Sequence, residues 1–313
     1  MEGLILPAPG ILTIAFCFAL VAGLILAVDP AKIVAAFANV PPGHILAGLL
    51  IVQLQVILSA VRWRFTAQRL GHDMPLGLAV REYYLGSFLN QILPGGMAGD
   101  AVRAYRATEE GEGGWKRPAA AVVLERLSGQ IAFFALTGIG LVVWPFVARD
   151  HLPKEFASLV WICLSLALVV AGLAVGFGKA RLPARLRGLK PDLMAAFWQD
   201  RAFAVQTSLS VTIVASYVAT FFIAASAVGT PLPAIAAVTV IPLCLLTMLI
   251  PVSVGGWGTR EAAAASLWPL LGFTSAQGFS ASVLYGLFSV IGVAPVGIAL
   301  VLKGLWARKH KGR

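Results

Sequence analysis

Leu93-Pro94-Gly95-Gly96-Met97-Ala98-Gly99-Asp100-Ala101-Val102-Arg103 is a run that no continuous helix can hold, and it sits in the middle of apolar sequence. Tyr83 to Leu93 is helix-compatible. Proline then removes a backbone donor, and the glycines each cost about 1 kcal/mol of helix propensity against alanine, so the helix stops before Asp100-Ala101-Val102-Arg103 starts another. A second run repeats this grammar: Pro242 to Ile250, then Pro251-Val252-Ser253-Val254-Gly255-Gly256-Trp257-Gly258, with a restart at Thr259-Arg260-Glu261. One shift of 157 residues lays the first break on the second. Pro94 falls on Pro251, Gly99 on Gly256, Arg103 on Arg260 and Asn90 on Thr247.

The sequence around these breaks is that of a membrane protein. Hydrophobic residues make up 59% of the 313 and charged residues 12%, where a soluble domain carries about a quarter charged. A helix needs about 20 apolar residues to cross a hydrocarbon core. Ile11 to Val28, Ile45 to Val61, Pro118 to Val147, Phe156 to Gly178, Phe203 to Val228 and Phe279 to Leu302 meet that length or approach it. Glu2 stands where a signal peptide has a basic region and no A-x-A-like site follows Val28, so the first segment is expected to be a retained helix.

The expected fold is an all-α polytopic membrane protein of about six full transmembrane helices plus two broken, re-entrant hairpins near residues 83–110 and 234–272. Residues 1–313 then form a single transmembrane domain with internal repeats at approximately 1–156 and 157–313. Under the same shift the first helix falls on the fourth, the second on the fifth and the third on the last. Three full crossings per half is an odd number, which makes the second half upside down, the inverted-repeat arrangement of secondary transporters. Placing both termini in the cytoplasm leaves only Lys32, Arg149, Lys154, Arg260 and the intrahelical Arg126 of the 24 Lys and Arg off the cytoplasmic side. The Lys179–Arg201 loop and the Lys303–Arg313 tail dominate that bias.

Several function classes are excluded. The net charge of +10 flanks hydrophobic spans and belongs to no nucleic-acid motif. Cys17, Cys163 and Cys244 form no CxxC pair, and His44, His72, His151 and His310 are scattered, so neither a metal nor a disulfide framework is expected. There is no P-loop, and Gly256-Trp257-Gly258 is too short for a dinucleotide fingerprint. No cofactor is expected.

The breaks are the candidate site. Irregular backbone survives at membrane depth only against protein or a wet cavity, since each unsatisfied polar group in hydrocarbon costs several kcal/mol. Asp100 and Thr259 read as N-caps of the restarted helices. N–H groups near Gly99 and Gly258, at positive dipole ends, favour an anion such as a lipid phosphate. Arg103 and Arg260 stand in the first turns and Arg126 in the third full helix, accompanied by Asp100, Glu125 and Glu261. Ionisable groups at such depth are functional candidates because burying them is costly. Asn90, Gly95, Gly96, Gly99, Gly255, Gly256 and Gly258 complete the candidate substrate-binding set. A plainer reading competes at each position. Arg260 and Glu261 are then an interfacial pair, Asp100 only a cap, Glu125 and Arg126 a structural pair, and the glycines mere spacers. Arg62 and Arg64 read as positive-inside anchors and Trp63 as an interfacial aromatic.

The run from Leu93 to Arg103, then Glu125-Arg126-Leu127-Ser128-Gly129, then the run from Pro251 to Glu261 together resemble the flippase-like transmembrane domain of the lysylphosphatidylglycerol synthase family, over nearly the whole chain. In bifunctional members a soluble aminoacyl-transferase domain makes the lipid and the membrane domain translocates it. Only nine residues follow Gly304 here, so the resemblance implies lipid movement rather than synthesis, and no enzyme activity. Relatives often carry a further glycine after the first pair, where this chain has Met97-Ala98.

The resulting expectation is a stand-alone lipid transporter in a bacterial cytoplasmic (inner) membrane, both termini in the cytoplasm. Its cargo is a phospholipid, isoprenoid-linked or hopanoid-type lipid, and lipid-synthesis enzymes or a second copy are the candidate protein partners. Two alternatives stand beside it. One is an intramembrane lipid-modifying enzyme with Glu125 or Glu261 as general base; the other is a scaffold for lipid-synthesis enzymes.

Overall fold

The computed structural model describes residues 8–27, 30–94, 96–109, 115–147, 189–250 and 253–311, and every regular element among them is helical. The expected span at Phe156 to Gly178 lies outside the described residues, as does Cys163. Among the described residues four helices are long and apolar enough to cross a membrane: α3 (Pro42–Arg69), α6 (Lys116–Val147), α8 (Ala202–Ala227) and α11 (Ser275–Lys311). A fifth crossing is counted if α1 (Ala8–Ala27) and α2 (Pro30–Ala38), set at 93° to each other, form one span. The chain is thus a multi-pass membrane protein. Two of its spans run past the lengths read from hydropathy. α3 opens on Pro42, whose fixed φ suits a first helical position, and continues beyond Val61 to Arg69 because Arg62 and Trp63 bury in protein instead of meeting lipid or water.

Both breaks are helix–turn–helix units. The first is α4 (Leu76–Ile92) turning into α5 (Ala98–Glu109). α7 (Leu189–Phe197) precedes α8. The second unit runs through a 3-10 turn (Ala234–Ala237), α9 (Val240–Leu246), a further 3-10 turn (Thr247–Leu249), and then α10 (Thr259–Leu267), which ends in a 3-10 turn at Trp268–Leu271. Adding 157 to the bounds of α2, α3, α4, α5 and α6 gives 187–195, 199–226, 233–249, 255–266 and 273–304. The observed counterparts lie at Leu189–Phe197, Ala202–Ala227, Ala234–Leu249, Thr259–Leu267 and Ser275–Lys311.

The long helices hold the broken units between them. α4 lies against α3 and α11, and α5 against α6; α9 touches α6 and α8, and α10 lies along α11. An aromatic core around Phe221, Trp268, Tyr285 and Phe288 takes in Tyr84, Phe88 and Trp144 as well and so joins the two halves, and Trp63, Met74 and a group of alanines form a smaller one. Two contacts fix the hairpins. Gly99 meets the backbone of Gly86 so closely that no Cβ fits between α4 and α5. Gly255, at φ +56°, abuts Gln91, so the tip of the second unit touches the end of α4 in the first. That approach requires glycine twice over, for the left-handed backbone and for the missing side chain.

A buried arginine cluster at the first break and an ion pair at the second

At the first break, three helices converge on Glu125, which is fully buried. Arg62 of α3 donates to its Oε1 through Nη2 at 2.5 Å and Nε at 3.2 Å. Arg103 of α5 donates to Oε2 at 2.7 Å, and the Tyr83 hydroxyl to Oε1 at 3.3 Å. Arg103 is shared with Asp100 at 2.9 Å, whose second oxygen pairs with Arg126. The remaining Arg62 nitrogen reaches Ser210 of α8 at 3.1 Å. The Arg103 guanidinium lies over the rings of both Trp63 and Tyr83, 4.8 and 4.5 Å from their centres, within cation–π range of each. Three guanidinium groups against two carboxylates leave one positive charge in excess. Arg103 Nη1 and Arg126 Nε are buried with no hydrogen-bond partner, and the Arg126 side chain, 37% exposed, is where the cluster opens.

At the second break the arrangement is closed. Arg260 and Glu261 are both buried and pair at 2.6 Å. Ser282 of α11 accepts from Arg260 Nε and donates to Glu261 Oε1, each at 2.9 Å. The Gly258 N–H donates to the other Glu261 oxygen at 2.6 Å. Trp257 and Tyr285 lie 5.3 and 4.9 Å from the Arg260 guanidinium. The two sites correspond through the shift: Arg103 meets Glu125 as Arg260 meets Ser282, and 125 plus 157 is 282. Gly129 lies against the Arg62 guanidinium and Gly286, its counterpart, against that of Arg260. In each case the glycine opens a long helix to a side chain that would otherwise collide.

The structure therefore brings together Asn90, Gly99, Asp100, Arg103, Glu125 and Arg126 at one break, and Gly258, Arg260 and Glu261 at the other. Gly256 sits on Met248 and Gly96 in open space, both with positive φ; Gly95 lies outside the described residues. Four readings are corrected. Arg62 and Trp63 are buried members of the first cluster, not surface anchors, because Glu125 and Arg103 reach them. Arg260 and Glu261 are not an exposed interfacial pair, since α11 covers them. Neither Asp100 nor Thr259 is an N-cap: α5 starts at Ala98, and Gly258 caps α10. The Gly99 and Gly258 N–H groups are already taken, Gly99 by Asn90 Oδ1 at 2.8 Å and Gly258 by Glu261. Arg62, Ser210, Ser282, Gly129 and Gly286 were missed as site residues. The shift itself would have found Ser282 and Gly286, as the counterparts of Glu125 and Gly129.

Among the described residues no three His, Cys, Asp or Glu side chains come together as a metal site. Cys244 is a free thiol, and Cys17 accepts the Val254 N–H at 3.2 Å, tying α1 to the second break. No curated protein matches the chain. A protein family does: the lysylphosphatidylglycerol synthase TM region matches residues 11–297. With that match over nearly its full length, and both quoted breaks inside it, this chain belongs to the lysylphosphatidylglycerol synthase transmembrane family.

Proposed function

We propose that this protein moves an amphiphilic lipid between leaflets, holding an anionic headgroup at the first break while the tails stay in the bilayer. The observation that carries this reading is the surplus positive charge of the Arg62, Arg103, Arg126, Asp100 and Glu125 cluster, with its unpartnered guanidinium nitrogens. A buried cation without a counter-charge is costly. A lipid phosphate accepting from Arg126 and Arg103 neutralises it with charge-assisted, geometrically matched bonds. Glu125 and Asp100 act as orienting groups that hold the three guanidiniums in place.

The family points to a lipid-related role in the membrane. The correspondence of element bounds under one shift supports two inverted halves of three crossings each, with the breaks as re-entrant hairpins. Contact between Gly255 and Gln91 supports hairpin tips that meet centrally. Rocking of one half on the other then alternates access to the first-break cluster. The orientation with both termini in the cytoplasm of a bacterial inner membrane follows from the distribution of Lys and Arg. Both oxygens of Glu125 are held by arginines, and those of Glu261 by Arg260 and the Gly258 N–H, so neither carboxylate is free for general-base work, which argues for a transporter over an enzyme.

Native mass spectrometry of the gently purified protein, with lipid analysis of what accompanies it, tests this reading. A lipid class enriched on wild type and on Arg260→Ala but lost from Arg126→Ala is the expected result. Equal retention on wild type and Arg126→Ala removes the assignment and moves weight to the scaffold reading.

A further inference from the structure

At the corner between α3 and α4, a surface depression of about 440 Å³ is lined by His72, Asp73, Met74, Pro75, Gly77, Leu78 and Arg81. The 17-residue helix α4 begins at its floor. Pro75 stands at the N-cap and offers no side-chain acceptor, and the first bond of the helix is Ala79 N–H to Pro75 O. The N–H groups of Leu76, Gly77 and Leu78 are thus the orphan donors of a helix start, and they carry the positive end of its dipole. Gly77 has nothing near its missing side chain, so the depression reaches the backbone.

A second feature points to a ligand here. His72 is nine-tenths buried, lines the same depression, and has no side-chain hydrogen-bond partner among the described residues. Cations surround it. Arg81 is half-exposed at the rim and pairs with Glu82, Arg117 of α6 lies over Gly71, and Arg64 of α3 donates to the Met74 carbonyl at 2.9 Å. The one carboxylate lining the depression, Asp73, accepts from Gln68 at 2.7 Å.

We propose that this corner is a second anion site, taking a phosphate-type oxyanion on the open N-terminus of α4 with His72 and Arg81 as side-chain ligands. It is independent of the transport reading and shares no residue with the first-break cluster. The bound group is a lipid headgroup or a free oxyanion, and the chemistry is the same for both. Burial and, more weakly, Arg117 lower the His72 pKa while Asp73 opposes them. The ring is therefore neutral at neutral pH, and protonation in more acid solution adds a charge that strengthens anion binding.

The test follows the His72 ring resonances of the full chain, assigned with His72→Gln, in detergent with added sulfate and in nanodiscs of phosphatidylglycerol or of an uncharged glycolipid. Leu76→Pro removes one donor and keeps the helix, since proline is tolerated at the first position and Pro75 already has extended backbone. Saturable movement of the His72 signals by sulfate, weakened about three- to tenfold by Leu76→Pro and tightened at lower pH, is expected from one lost charge-assisted hydrogen bond. Movement in phosphatidylglycerol nanodiscs without sulfate assigns the site to a headgroup; movement with sulfate alone assigns it to a free oxyanion. No movement in either, or identical affinity in wild type and Leu76→Pro, overturns the proposal.

Discussion

The two breaks start from the same sequence grammar and end in different electrostatics. At the first, three arginines share two carboxylates and one edge is open; at the second, one arginine meets one carboxylate under a serine from α11. The difference traces to a few positions. Glu125 has Ser282 as its counterpart, Asp100 has Trp257, Arg126 has Val283 and Arg62 has Ala219, so the second half loses two arginines and both carboxylates, while Glu261 supplies one of its own. A matched buried pair is a structural device, whereas a surplus cation calls for a partner from outside. On the function proposed above, the first break is suited to hold an anion and the second to hold its own fold.

The comparison can be broken at several points. Glu125→Gln has the largest expected effect: it strips the counter-charge from both Arg62 and Arg103, and loss of one partner of a buried pair costs about 3–5 kcal/mol. A thermal-unfolding series in detergent would show it as a collapse in melting temperature. Replacing both members at the second break, Arg260→Met with Glu261→Gln, costs less than Glu261→Gln alone, because no bare charge is left behind. A double-mutant cycle on the same assay measures that difference, and additive single effects would contradict the closed-pair description.

Next in size, Gly99→Ala forces a methyl into the Gly86 backbone and is expected to cost about 1–3 kcal/mol. Gly96→Ala, with the same added methyl but open space around it, pays only for its left-handed backbone, about 1 kcal/mol. Equal costs would show that α4 and α5 are not held together at Gly86. The smallest effect is that of Thr259→Ala. Its hydroxyl donates to the Thr247 and Gly256 carbonyls at 3.2 Å each, and losing that tie is worth about 1 kcal/mol.

The helical membrane architecture was legible because hydropathy and Pro-Gly punctuation are local signals. Three spans, Pro118 to Val147, Phe203 to Val228 and Phe279 to Leu302, were read within a few residues of α6 and α8 and inside α11. The breaks were placed by Pro94 and Pro251, and the candidate residues Asp100, Arg103, Glu125 and Arg126 do meet at one site. Arg62 and Trp63 were misread for a physical reason. In sequence they end an apolar run, just where an interfacial anchor belongs, and only the carboxylate of Glu125, 63 residues away, draws the guanidinium inward. The caps failed for a similar reason: both helices begin where glycine or alanine backbone lets them, leaving Asp100 free to pair with Arg103 and Arg126.

Leaflet exchange in reconstituted vesicles tests most directly the proposal that the charge surplus at the first break carries a headgroup across. Fluorescent phosphatidylglycerol, quenched from outside, would report the rate for wild type, Arg126→Ala and the Arg260→Met, Glu261→Gln pair. Arg126→Ala is expected to slow exchange about tenfold or more, the kinetic equivalent of about 1.4 kcal/mol, with an almost unchanged melting temperature, while the second-break variant loses stability and keeps most of its rate per folded molecule. Wild-type exchange by Arg126→Ala, or a greater loss of rate at the second break than at the first, would contradict it.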